Sequence, residues 1–453
     1  MGKKTMVSLK TEEQNGLLFT RRRLFSLLWP LVVEQLLTVL VGMIDVLMVS
    51  FLGEAAVSGV SLVDSLNHLV IQVLFALTTG GTVICAKAIG AGDFRAAGKA
   101  GAQMMLVTVG GMLCLSLAML FGRRWLLGLF FGSVDSDVMD NALRYMLYTA
   151  ISFPFLAAYY AAAAAFRAKG NTRIAMLASL GMNVLNIIGN AICIFALHMG
   201  VEGVAVPTLL SRMAAAVAMV LVLQRPANDI RIRSFAQLQP DRKTLGGILS
   251  IGIPNSLESG LFNVGKILLQ SLVSTLGTSS IAAYAVASNL ATYLYLPGNA
   301  LGAGMTTVVS QCIGAGDRKQ AKANAKRLIG MNYAMLLVFC GAMILGRSLW
   351  VGLYHLSPYA ALQAERLIFA HSAAMIRWPV GFLLPYYFRA AGRPMFTMAV
   401  SLLAMALLRI GLAYLFILGM HKDVLWVWIA MFADWLFRVV VYGSAFLREP
   451  RAV

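Results

Sequence analysis

IGAGD occupies residues 89–93 and recurs unchanged at 313–317, a shift of 224 positions. The same shift carries VSFLG (49–53) onto VSTLG (273–277), Pro30-x-x-x-Glu34 onto Pro254-x-x-x-Glu258, and Gly80-x-Thr82 onto Gly304-x-Thr306. FRAKG (166–170) echoes FRAAG (388–392) at a shift of 222. One such match is weak, but four in order at one offset indicate a chain made of two related halves.

The sequence between these motifs is strongly apolar. Of its 453 residues 59% are hydrophobic and only 12% charged, with a mean hydropathy of +0.78. That is about half the charged fraction of a soluble domain. Apolar runs recur that reach the ~20 residues a bilayer-spanning helix needs, and the alternating polarity of barrel strands is not seen. Helices are expected near 25–51, 58–85, 100–121, 142–166, 173–197, 202–224, 246–275, 280–311, 326–346, 366–389, 395–418 and 424–446. The reading is an all-α polytopic membrane protein with twelve transmembrane helices. Six per half is even, so both halves enter the membrane in the same direction. They form two parallel six-helix lobes related by a pseudo-two-fold axis along the membrane normal.

The domains follow as a cytoplasmic N-terminal segment (1–24), an N-lobe (25–224), a polar and basic linker (225–245), a C-lobe (246–447) and a cytoplasmic tail (448–453). The formal net charge of +18 is unevenly spread. On the side opposite the N-terminus the connections hold only Arg123, Arg124, Arg144, Arg347, Arg366 and Lys422. The positive-inside rule then places both termini in the cytoplasm, in a cytoplasmic (inner) membrane. The basic excess is a topological signal rather than a nucleic-acid surface. Residues 1–23 end in Arg21-Arg22-Arg23, but no small-residue cleavage site follows the first apolar run, so an uncleaved first helix is expected. The five cysteines stand singly within apolar stretches with no C-x-x-C spacing, which suggests neither a disulfide framework nor a zinc site. No nucleophile triad or HExxH motif marks a membrane enzyme, and no selectivity-filter sequence marks a channel.

Carboxylates inside apolar helices are costly and mark ion or substrate routes. WPLVVEQLLTVLVGMIDVLM (29–48) carries two, Glu34 and Asp45. Eleven residues apart, they share nearly one helical face but are separated by about 16 Å along the axis, so they do not share one ion. In helix 5, Asn186 and Asn190 are four apart on one face, with Asn190 at a depth similar to Asp45. Their carboxamides suit a hard cation or hydrogen-bond an aspartate. Asp64 lies about six residues into helix 2, where it either faces Asp45 or touches interfacial water. His68 beside it reads as a local hydrogen-bonding group. In the second half helix 7 holds Glu258, Asn263 and Lys266, and helix 12 holds Asp434 and Arg438 at the i, i+4 spacing of an intrahelical salt bridge. The counterpart of Asp45 is Leu269, so the two halves are not chemically equivalent. The two Gly-Ala-Gly-Asp stretches read as tight turns, glycine supplying left-handed backbone and aspartate capping the next helix. Pro30 and Pro254 interrupt main-chain hydrogen bonds in helices 1 and 7. Phe153, Tyr159, Tyr293, Tyr295, Trp378 and the 25 methionines are candidates for a compliant substrate surface.

The pattern D-x-x-x-V-S-x-L-G ending helix 1 (Asp45 to Gly53), IGAGD after helices 2 and 8, and FRAKGNTR before helix 5 resemble the multidrug and toxic compound extrusion (MATE) family, prokaryotic type, over roughly residues 25–447. The resemblance implies export of amphipathic, often cationic, drug-like compounds in exchange for inward Na⁺ or H⁺, through rocking of two lobes. It implies Asp45 as the N-lobe cation-binding aspartate, with Glu34, Asp64, Asn186 and Asn190 as further coupling residues. Asp45, Asn186 and Asn190 would be the ligands if the ion is Na⁺. Many prokaryotic relatives place an aspartate where Asn190 stands, a departure that leaves the coupling ion open. The expected C-lobe cavity residues are Glu258, Asn263, Lys266, Asp434 and Arg438. No cofactor beyond the coupling ion, no catalysis, a monomer and the lipid bilayer as surroundings complete the expectation. The alternative is a flippase of lipid-linked saccharide or other lipid on the same superfold, which would favour a cavity rich in arginine and lysine.

Overall fold

The computed structural model describes residues 18–131, 134–226, 228, 230–231 and 235–449. Parts of the expected N-terminal segment (1–17), linker (227, 229, 232–234) and tail (450–453) lie outside these residues.

Among the described residues the chain is helical, without strands. Six helices make up the first half: α1 (Arg21–Ser50), α2 (Glu54–Gly90), α3 (Phe94–Phe131), α4 (Ser136–Ala168), α5 (Thr172–Ala196) and α6 (Glu202–Gln224). Six long helices follow in the second: α7 (Arg242–Ser274), α8 (Thr278–Gly314), α9 (Arg318–Leu345), α10 (Pro358–Ala390), α11 (Pro394–Gly419) and α12 (Leu425–Arg448), with a short helical turn, Arg347–Gly352, between α9 and α10. Ten of the twelve are long and apolar enough to cross a membrane by length and composition. The other two, α7 and α8, are 33 and 37 residues long, more than a bilayer requires. The chain is an all-α, multi-pass membrane protein with the helix number read from the sequence. Several helices run longer than expected because α3 and α9 begin directly after the Gly-Asp turns, at Phe94 and Arg318.

The repeat is visible in the backbone itself. Among the described residues six glycines adopt positive φ, and they fall into three pairs at the repeat offsets: Gly53 with Gly277, Gly92 with Gly316, and Gly170 with Gly392. Each sits in one of the repeated motifs, at a helix end where an L side chain would be strained. In both IGAGD turns the aspartate caps the following helix. Asp93 accepts from the Ala96 N–H and Asp317 from the Gln320 N–H, each at 2.8 Å.

Two compact units emerge, Trp29–Ser256 and the set Met1–Leu28 plus Leu257–Val453. The division therefore runs through α1 beside Pro30 and through α7 beside Pro254. In the first unit α4 is buried along most of its length, including the run Ala161–Ala165, and packs against α2, α3 and α6. The start of α7 joins this unit by close backbone approach to α2: a Cβ built on Gly80 would lie 2.3 Å from the carbonyl oxygen of Ile248. Small residues at such crossings let transmembrane helices pack closely. The linker is tied down here too. The Gln103 side chain donates to the carbonyls of Gln237 and Gln239 and accepts from the Asp241 N–H. Lys99 pairs with Asp241, which caps the start of α7 at Thr244.

In the second unit α8 packs against α9 and α10, and α12 against α10 and α11. The start of α1 belongs to this unit, where the Leu18 N–H donates to the Gln320 side chain. Phe153, Tyr159 and Trp378, candidates for a substrate surface, are buried within the unit cores.

Candidate functional site

In the first unit α1, α2, α4, α5 and α6 enclose a cavity of about 210 Å³. Asp45, Asp64, Tyr145, Asn186, Thr208 and Arg212 are among its lining residues. Asp45 is half-buried, and its Oδ1 accepts from the Asn190 carboxamide at 2.9 Å. Asn190 reaches back to Asn186 Oδ1 at 3.4 Å, and Asn186 donates to Thr208 at 3.0 Å. A polar line thus runs from α6 through α5 to the carboxylate on α1. The carboxamide oxygen of Asn190 is buried without a hydrogen-bond partner. Asp64 stands at the same cavity, accepting from Asn67 and from the Tyr145 hydroxyl, each at 3.1 Å. Of the two placements the sequence left open for Asp64, the structure has it lining the same cavity as Asp45. His68 contacts Gln72 of its own helix at 3.3 Å.

Glu34 sits apart from this group. It is buried and ion-paired with Arg167, the arginine of FRAKG. A buried carboxylate held by a guanidinium is already neutralised, so Glu34 binds α1 to α4 rather than lining the cavity. The second unit repeats the device: Glu258 pairs with Arg389, the arginine of FRAAG, at 2.9 Å. Two sequence echoes, one from the Pro-x-x-x-Glu motif and one from the Phe-Arg-Ala motif, are therefore ion-pair partners in each half.

The other expected C-lobe residues divide. Asp434 and Arg438 form the i, i+4 salt bridge at 2.6 Å, both nearly inaccessible, and Arg438 also donates to Ser401. Arg409 approaches Asp434 at 3.7 Å. Arg389 donates to Thr397, whose carbonyl accepts from Tyr442; Tyr442 meets Ser401, and Ser401 meets Arg438. Glu258 is thus joined to Asp434 by one buried polar chain. Asn263 is spent on the Ser259 carbonyl of its own helix. Lys266 is exposed and lies over the Phe262 ring at 5.3 Å, with Arg409 over the same ring at 5.2 Å.

Sequence reading overlooked Arg212, Tyr145 and Thr208. The signal for Arg212 was present. An arginine ten residues into a 23-residue apolar helix is an intramembrane charge, and such charges are functional candidates by default.

The MatE family model matches residues 30–192 and 254–415, the two halves beginning at Pro30 and Pro254. An uncharacterised transporter, YisQ of Bacillus subtilis (strain 168), is 26% identical over 435 residues, covering 92% of each chain. The probable multidrug resistance protein NorM of Thermotoga maritima is 25% identical, covering 96% of this chain and 94% of its own. The crystal structure of MATE in the bent conformation superposes with a TM-score of 0.88 at 19% identity, over 94% of this chain and 95% of that one. With matched segments covering well over half its length, the chain belongs to the MatE family of membrane transporters.

Proposed function

We propose that this chain is a secondary active multidrug efflux transporter that exports amphipathic, often cationic compounds in exchange for inward Na⁺ or H⁺. The observation that supports this reading best is Asp45, a carboxylate hydrogen-bonded but not ion-paired, on the wall of a polar cavity inside the membrane-length part of α1. The relatives named as drug-resistance proteins supply the cargo class.

With the cavity open outward, a cation reaches Asp45 and cancels its charge. A bound cationic amphiphile loses its counter-charge and leaves. Re-orientation then delivers the coupling ion to the cytoplasm. One charge moving down 100 mV supplies about 2.3 kcal/mol, equivalent to a nearly fifty-fold concentration ratio. The protein acts as a monomer in the cytoplasmic membrane, with both termini cytoplasmic by the charge asymmetry of its connections.

The test is ethidium efflux from energised vesicles, with Na⁺ and pH gradients imposed separately, comparing the natural chain with Asp45→Asn. Loss of gradient-driven efflux in the variant is expected. A variant that pumps normally under both gradients would remove Asp45 from the coupling role. A lipid flippase would move no dye under either gradient and would complement loss of cell-wall precursor export.

A further inference from the structure

Extending the exporter reading above, on which it rests, we propose that Lys266 and Arg409 form an anion-binding subsite in the second unit, one that holds the carboxylate or phosphate headgroup of an amphiphilic cargo. Lys266 lies eight residues short of the end of α7, about 12 Å inside it. A lysine at that depth ordinarily stretches out toward the membrane surface. This one turns the other way, its ammonium 5.3 Å from the ring centroid of Phe262, one turn further in. Arg409 of α11 lies over the same ring at 5.2 Å, so two cations share one aromatic side chain.

Two features of the backbone bring them together. Arg409 belongs to Ala404–Gly411, where α11 is wound as a π-helix, a form that recurs at functional sites. Gly265, next to Lys266, gives that segment room: a Cβ built there would lie 2.1 Å from Met405 Cε and 3.3 Å from Ile410 Cδ1. The acids nearest these cations are already committed. Glu258 pairs with Arg389 at 2.9 Å and Asp434 with Arg438 at 2.6 Å. Arg409 has only a distant share of Asp434, at 3.7 Å, and otherwise donates to Met431 Sδ, a weak acceptor. Its Nε is buried without a hydrogen-bond partner. Among the described residues Lys266 makes no ion pair within 4 Å. Lys266, Arg409 and Arg438 thus outweigh Asp434 by two positive charges. Unbalanced charge in a membrane-length helix is costly and marks a ligand route. An anionic headgroup supplies the missing charge, meeting a point charge from Lys266 and N–H donors from the guanidinium fork of Arg409. The first unit's cavity, with Asp45 and Asp64 against Arg212, carries the opposite balance, so the subsite is not a repeat of that one.

The experiment is calorimetric titration of the purified full chain, in an uncharged detergent, with three ligands of one ring system: 2-naphthoate, 2-naphthyl phosphate and 2-naphthalenemethanol. Saturable binding of an anion but not of the neutral alcohol is expected, and the tighter of the two anions identifies the headgroup. Lys266→Gln should weaken that binding about tenfold, the loss of one hydrogen bond to a charged group, and Arg409→Gln should do likewise. Lys266→Arg, which keeps the charge, should bind like the natural chain. Equal binding of alcohol and anions, or an affinity unmoved in Lys266→Gln, would overturn the proposal. Lys266 is exposed on α7, so that variant decides the matter even if Arg409→Gln does not fold. Displacement of the naphthyl anions by millimolar chloride would also overturn it, by showing a site for small inorganic anions. The binding measurement needs no gradient. Anions that bind while ethidium stays put sink the exporter reading alone; ethidium that is pumped while neither anion binds sinks the subsite alone.

Discussion

The Asn190 carboxamide donates to Asp45 across 2.9 Å, joining α5 to α1 between residues 145 positions apart. That bond fixes where the carboxylate points, and Asn186 and Thr208 in turn fix Asn190. Asn190→Ala should keep the fold, since the residue adds little apolar packing, but release Asp45 from its position. Gradient-driven ethidium efflux is expected to fall about tenfold, the cost of one hydrogen bond to a charged group (~1.5 kcal/mol). Equal efflux rates in the natural and variant vesicles would show that the bond does not organise the site.

The buried pair Glu34–Arg167 should behave as a fastener. Glu34→Gln leaves the guanidinium without its counter-charge, and such single breaks cost about 3–5 kcal/mol. Removing both charges together, as Glu34→Gln with Arg167→Met, should recover part of that loss. The check is the thermal midpoint of detergent-purified protein followed by tryptophan fluorescence. Glu258→Gln, which orphans Arg389, should reproduce the defect in the second unit.

Gly80 has no room for a side chain. Its built Cβ would meet the Ile248 carbonyl oxygen at 2.3 Å and the Gly252 nitrogen at 3.0 Å, both backbone atoms that yield only if α7 moves. Gly80→Ala should therefore destabilise by about 1–3 kcal/mol, the range for overpacking. Gly101, with open space around its built Cβ, is the control: Gly101→Ala should leave the midpoint within error.

Asp241, outside the membrane-spanning helices, gives a pH dependence with a definite sign. Hydrogen bonds from the Thr244 hydroxyl and backbone N–H, with Lys99 beside it, hold its carboxyl down at about 2 from the ordinary 3.8. A lowered folded-state value stabilises fully above pH 3.8, and that stabilisation disappears as pH falls toward 2. The thermal midpoint of Asp241→Asn should accordingly lie below that of the natural chain at pH 5. The difference should close between pH 4 and pH 2. A difference that widens on acidification would mean that the cap does not hold the start of α7.

Much of this was legible in the chain itself. Apolar runs long enough for a bilayer, the 224-residue repeat and the basic asymmetry of the connections belong to local composition and spacing, which a helix in lipid expresses directly because its backbone bonds close within each segment. The glycines of the repeated motifs gave away the turns, because positive φ restricts what may stand there. Asp45 and Asn190 could be set at one depth by counting residues at 1.5 Å each. Depth along a helix does not tell what a side chain meets across it. Only the tertiary packing assigned Glu34 to Arg167 and Glu258 to Arg389, joined Glu258 to Asp434 through Tyr442, and turned Arg212 into the same cavity as Asp45 and Asp64. Those outcomes depend on the rotation and pairing of helices far apart in the chain, where a carboxylate inside an apolar helix can be satisfied by any of several partners of similar depth.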